Sequence, residues 1–234
     1  MTPVLVISSG DVHVWLADLD AVSLPDDVLA RGLSEQELAR AAGFRHDMHR
    51  RRYLASHAFL RRVLARYVRS GVAATGIEFE RTPSGKPVMA GPAAAGLHFS
   101  LSHAGTFAAC AVAGREVGID IEPEQLMPEA PGIAERIFTP ERLARWQGES
   151  GQSRAASLLV GWTQFEALAK AQGGGLIDPP ARIAMDSGCD CWNSVHDRRA
   201  EWSVLSFRGD NRAVVSVAVA GAPGRLREPA AHRG

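Results

Sequence analysis

An α+β fold is what the order of segments predicts for this chain of 234 residues. Strand-like and helix-like stretches come in runs rather than in strict alternation, which argues against a doubly wound parallel sheet. Each half also carries one long helical pattern, at 46–69 and at 153–172, followed by strand-like runs, so a duplicated plan is expected. The length suits one large domain or two small lobes.

From the N-terminus, "VLVISSGDVHVWLADL" reads as two short β-rich runs divided at Ser8-Ser9-Gly10. In "LSEQEL", Ser34 and Glu37 have the spacing of a capping box, which starts a helix running to about Ala42. Leu54, Ala58, Val63 and Tyr67 recur at near-helical intervals among arginines, which predicts an amphipathic helix with a basic outer face. "GIEFERTPSGKPVM" alternates and then turns on "TPSGKP". "LHFSLSHAGTFAACAVAG" reads as strand, turn and strand, and "VGIDIEP" as a third strand stopped by Pro123, so the three predict an antiparallel meander. Thr139 and Pro140 mark a helix start, and the 153–172 helix ends at "GGG". "EWSVLSF" and "AVVSVAVA" flank the turn "RGDN", and the tail from Gly221 is expected to be loose.

Composition narrows the function classes. Apolar residues make up 46% and charged residues 22%, as in an ordinary folded protein, and 26 basic residues balance 26 acidic ones. No global charge therefore favours nucleic acid or a membrane surface. Cys110, Cys189 and Cys191 fit neither a disulfide framework nor paired C-x-x-C zinc ligands, and a reducing cytoplasm is the simplest setting. The first twenty residues lack a basic leader, and no apolar run approaches the roughly 18 residues of a membrane span, so neither export nor insertion is expected.

Chemistry concentrates in four places. On a strand, Asp120 and Glu122 share one face while Ile119 and Ile121 share the other, with the acids' Cα atoms roughly 6 to 7 Å apart. Two such carboxylates suit Mg²⁺, which takes oxygen ligands and keeps room for water and substrate phosphate, although a solvated sheet face carries the same pattern. In "WTQFEALAKA", Glu166 and Lys170 lie one turn apart on a helix otherwise rich in apolar residues. They supply a third carboxylate and a cation, or form an ordinary intrahelical pair. Ser102 and His103 end a strand at a glycine turn, where hydroxyl, imidazole and amide groups can hold phosphate and where a lone histidine is also commonly structural. Lys86 on the stiff "SGKP" turn and the arginines of the first long helix are further phosphate candidates, or a solvated face.

Taken in order, "FRHD…RRRYLASH", "SGKP", "HFSLSHAG", "VGIDIEP" and "WTQFEALAKA" resemble the 4′-phosphopantetheinyl transferase superfamily, specifically its long pseudo-dimeric type that activates peptide and polyketide synthases. The likeness spans about residues 44–176. It implies two similar lobes related by a pseudo-twofold axis, here 1–116 and 117–220, with 221–234 as tail, acting as a monomer with the cofactor in the cleft between lobes. It further implies that Asp120, Glu122 and Glu166 hold Mg²⁺ beneath the diphosphate of coenzyme A, that Lys170 and His103 touch the phosphates, and that Ser102 helps hold the nucleotide. Arg52 and Lys86, with Arg45 less well matched, fall where that family places cations for the 3′-phosphate.

The implied reaction moves the phosphopantetheine arm to a serine of an apo acyl, peptidyl or aryl carrier protein and releases 3′,5′-ADP. Glu166 is the candidate base, sitting with the metal ligands yet on a separate helix. One departure stands out: Phe165 occupies the place of a customary lysine before the helix glutamate. Glu141 lies one position from the family's usual acid and receives no role.

Two other readings compete. The carboxylates alone would serve a Mg²⁺-dependent nucleotide phosphohydrolase, which leaves the "SGKP" and arginine elements unexplained. A nucleic-acid binder built on the arginine-rich helix is disfavoured by the zero net charge and the lack of interleaved aromatics.

Overall fold

A computed structural model of the chain describes residues 5–8, 10–68, 74–91, 96–124, 130–173, 182–184, 192–196, 200–209, 213–222 and 224–227. Cys189 and Cys191 lie outside them, and Cys110 is a buried free thiol. The first half runs β1 (Val12–Asp18), α1 (Asp26–Ala30), α2 (Glu35–Ala42), α3 (Asp47–Leu64), β2 (Phe79–Arg81), β3 (Pro87–Met89), β4 (His98–Ala104) and β5 (Phe107–Ala113). The second runs β6 (Val117–Pro123), α4 (Ala130–Ile137), α5 (Pro140–Gly148), α6 (Gly151–Gln172), β7 (Asn193–His196), β8 (Glu201–Gly209), β9 (Ala213–Ala220) and β10 (Leu226–Arg227).

The arrangement is α+β, as the segment order predicts. One sheet has the order β10-β1-β5-β4, the other β6-β9-β8-β7, and β2 pairs only with β3. Alternation on the strands builds a shared core. Val12, Val14, Ala109, Ala111 and Ala113 of the first sheet meet Ile119, Ile121, Val215, Val217 and Val219 of the second. On the outer face of the first sheet, Leu60, Val63 and Leu64 of α3 cover Trp15, Cys110 and Val112. On that of the second, Ala167, Leu168 and Ala171 of α6 cover Val204 and Ala218. The layers are therefore helix, sheet, sheet, helix.

The expected caps form. Ser34 and Glu37 close a capping box, Thr139 accepts from the Arg142 amide, and Gly173 ends α6 in the left-handed region at φ 72°. Three expectations fail. The "VGIDIEP" strand does not extend a meander, because β5 already pairs with β1 on one edge and β4 on the other. With both edges of β5 used, β6 starts a new sheet against β9. The tail is not wholly loose, since Leu226 and Arg227 run parallel to β1 and Arg227 pairs with Asp11 at 2.7 Å. Nor does a strand form at 5–8, where the Leu5 amide donates to the Arg66 carbonyl at 2.7 Å instead.

What positions the site is the approach of α6 to β6. A Cβ at Gly118 would stand 2.0 Å from the Ala167 carbonyl oxygen and 2.4 Å from the Ala171 nitrogen, so only glycine allows this separation. Among the described residues no helix is long and apolar enough to cross a membrane.

Gly118→Ala should cost about 3 kcal/mol, because the clash is with helix backbone rather than with a flexible side chain. Urea unfolding measures this, and an unchanged midpoint would show that the two elements are not in contact.

Candidate functional site

Strand β6 sends Ile119 and Ile121 into the core between the sheets and turns Gly118, Asp120 and Glu122 toward α6. With α6 lying directly on Gly118, Lys170 meets Asp120 at 2.6 Å, and Glu166 sits one turn earlier on the same helical face. Ser102 joins from β4 by donating to Asp120 Oδ1 at 2.8 Å and accepting from Lys170 Nζ at 2.8 Å. The alternation and the one-turn spacing thus bring together Asp120, Glu122, Glu166, Lys170 and Ser102. Asp120 is more enclosed than a polar strand face would make it, at 4% exposure, because α6 lies over it.

The electrostatics are those of too many acids in too little water. Burial pushes the Glu122 carboxyl up to about 7, helped by the charge of Asp120, while the Trp162 side chain hydrogen-bonds to it and pulls the other way. Burial likewise raises Glu166, against the opposing pull of Lys170. Asp120 Oδ1 carries the ammonium and the hydroxyl, whereas Oδ2 is buried without a hydrogen-bond partner.

No group of three His, Cys, Asp or Glu side chains among the described residues is drawn tightly round one point. Yet hard oxygen donors, one of them an orphaned buried atom, form a set whose mutual repulsion a divalent cation would relieve. The residues fit Mg²⁺ in kind, with the Lys170 ammonium on the carboxylate such an ion would take.

Beside this cluster opens a cleft of about 1060 Å³. Glu166, Lys170 and Gly173 of the α6 end line one side, His103 and Leu101 of β4 another, and Tyr53, His57 and Arg61 of α3 a third. Asp120, Glu122 and Ser102 lie behind this lining rather than on it.

The predicted phosphate groups are placed unevenly. His103 lines the cleft, and its imidazole is held below its ordinary range by desolvation there and then by the positive charges of Lys170 and Arg40. Lys86 also lines it, but its ammonium turns to the Ala171 carbonyl at 2.8 Å, the Val117 carbonyl at 3.3 Å and Glu116 at 2.5 Å. Glu116 is thereby pulled down to about 2, first by His98 and then by Lys86. Arg52 grips Asp20 at 2.8 and 2.5 Å, and Arg45 is exposed on the bend before α3; neither lines the cleft.

Sequence reasoning missed three cleft residues, Arg40, His57 and Arg81. Arg40 and His57 belong to segments that carried other signals, the capped helix and "RRRYLASH", so only their proximity in space could have found them. Phe165, in the place of the customary lysine, is buried with Phe138 and Trp146.

Comparison with known proteins bears on this arrangement. Residues 116–218 match the model of the 4′-phosphopantetheinyl transferase superfamily, and residues 27–115 match that of the 4′-phosphopantetheinyl transferase N-terminal region. The 4′-phosphopantetheinyl transferase HetI of Nostoc sp. is 33% identical over 222 residues, covering 94% of this chain and 92% of that protein. The 4′-phosphopantetheinyl transferase Sfp of Bacillus subtilis is 26% identical over 147 residues, 63% of each chain. A crystal structure of holo-[acyl-carrier-protein] synthase from Thermotoga maritima is 25% identical and covers 49% of this chain and 69% of that one at a TM-score of 0.33, too low an overlap to add to the fold.

The cleft's half-buried imidazole has a measurable signature. Desolvation holds His57 at about 4 rather than 6.5, so the unfolded chain takes up that proton first as pH falls. The stability this histidine contributes is present above pH 6.5 and is lost as pH drops toward 4. Relative to His57→Gln, the wild type should lose about 2 kcal/mol between pH 7 and pH 4.5 in urea titrations, whereas parallel curves would place His57 in water.

Proposed function

The chain belongs to the 4′-phosphopantetheinyl transferase superfamily, and from that premise we propose that it moves the phosphopantetheine arm of coenzyme A onto a serine of an apo carrier protein, with Mg²⁺, releasing 3′,5′-ADP. The observation that carries this reading is the gathering of Asp120 and Glu122 with Glu166 and Lys170, the latter two lining a cleft of about 1060 Å³.

Asp120, Glu122 and Glu166 would hold the ion, whose contribution when bound is to neutralise charge on the diphosphate. Lys170, His103 and Ser102 are the residues proposed to orient the phosphates. Arg45, Arg52 and Lys86 are those proposed for the 3′-phosphate; the Lys86 stem already lines the cleft, while Arg52 must first leave Asp20.

In the reaction the carrier serine oxygen bonds to the β-phosphorus, the bond from that phosphorus to the bridging oxygen breaks, and 3′,5′-ADP departs. Glu166 takes the serine proton, since it sits with the proposed metal ligands yet on a separate helix that lines the cleft. Phe165 needs no replacement cation beside it, since its position faces the apolar cluster under α4 and α5.

The lobes are proposed as 1–116 and 117–220, related by a pseudo-twofold axis and working as a monomer in the cytoplasm. The connection order supports this division: β1, three helices, then the β4–β5 hairpin with β5 back beside β1; and β6, three helices, then the β8–β9 hairpin with β9 back beside β6. Acidic helical carrier domains of fatty acid, polyketide or peptide synthesis are the proposed partners.

Mass spectrometry of apo acyl, peptidyl and aryl carriers incubated with protein, coenzyme A and Mg²⁺ should show a gain of one phosphopantetheine on at least one of them. Asp120→Asn, which keeps the buried shape, should abolish the gain, and Glu166→Gln should slow it about a hundredfold or more. Coenzyme A cleavage without a carrier would favour a phosphohydrolase, and a folded protein that modifies no carrier would overturn the transferase reading.

A further inference from the structure

We propose that Lys170 is a built-in stand-in for the divalent cation: it neutralises Asp120 in the metal-free protein and transfers to an anionic diphosphate in the cleft when the ion takes its place. The inference rests on the Mg²⁺ reading above. Lys170 Nζ lies 2.6 Å from Asp120 Oδ1 and 2.8 Å from Ser102 Oγ, so the ammonium already neutralises the carboxylate whose unpartnered Oδ2 an ion at this cluster would meet. Two cations on one buried carboxylate repel each other and divide its single negative charge. An ion arriving at Oδ2 therefore weakens the hold of Asp120 on Lys170 and favours its release.

The side chain has somewhere to go. The Lys170 side chain is 30% exposed and lines the cleft, whereas Asp120 is enclosed. Its flexible four-carbon stem can carry the charge from the cluster to the cleft without moving the helix. Ser102 can follow either state, because its hydroxyl both donates and accepts. With no diphosphate in the cleft, releasing Asp120 costs Lys170 its 2.6 Å ion pair, so it resists the ion. With a diphosphate present, the exchange gives each charge a partner, so ion and diphosphate assist each other's binding.

The test is a titration of Mn²⁺ by electron paramagnetic resonance, in the absence of any carrier protein so that nothing turns over. Wild type should bind Mn²⁺ weakly alone and about tenfold or more tightly with coenzyme A. Lys170→Met should bind Mn²⁺ alone more tightly than wild type, by about fivefold or more, and the gain from coenzyme A should shrink. Lys170→Gln, which keeps a hydrogen-bond donor without the charge, should behave alike and serves if the methionine variant does not fold. Variants that bind Mn²⁺ alone no more tightly than wild type would overturn the stand-in role while leaving the metal site intact. No Mn²⁺ binding to any of the three, even with coenzyme A, would overturn the metal reading itself and this inference with it.

Discussion

Helix α6 rests on strand β6 at a separation set by the missing side chain of Gly118, whose Cβ would fall 2.0 Å from the Ala167 oxygen. This contact does more than pack two elements. It brings the helix that carries Glu166 and Lys170 within hydrogen-bond reach of the strand that carries Asp120 and Glu122. The apolar strand face, Ile119 and Ile121, fixes β6 in the core between sheets, and the apolar positions Ala167, Leu168 and Ala171 fix α6 on the second sheet. Neither element can shift toward solvent to ease the charges without giving up buried area.

Charge is accordingly held where it is costly. Three carboxylates meet one ammonium, and the mismatch surfaces as a raised Glu122, a raised Glu166 and an unpartnered Asp120 oxygen. Groups kept in this condition are common at functional sites, where a ligand supplies the missing charge. Lys86 of the first half is by contrast fully engaged: it donates to the Ala171 carbonyl near the end of α6 and holds Glu116 and Val117 at the start of β6, so the "SGKP" turn ties the helix end to the strand. That tie supports the Gly118 contact from its far end.

Much of this was readable in advance because it depends on local periodicity. The two-residue spacing of Asp120 and Glu122, the four-residue spacing of Glu166 and Lys170, the Ser34 capping box and the β4–β5 hairpin all follow from strand and helix geometry. What stayed hidden depends on contacts between distant segments. Nothing near position 120 says that α6 will bury it. The departure of β6 from a meander turns on β1 having claimed the far edge of β5, a pairing almost a hundred residues apart in the chain. The diversion of Lys86 to helix carbonyls, and the seating of Phe165 among Phe138 and Trp146, are likewise facts of tertiary structure.

We propose that α6 and β6 are brought together to surround one cation. Anomalous diffraction from crystals soaked with Mn²⁺ and coenzyme A tests it most directly. The account predicts one strong peak about 2.1 Å from carboxylate oxygens of Asp120, Glu122 and Glu166, with the Lys170 ammonium turned away from Asp120 toward the diphosphate. A peak elsewhere, with the Asp120–Lys170 pair still closed, would contradict it.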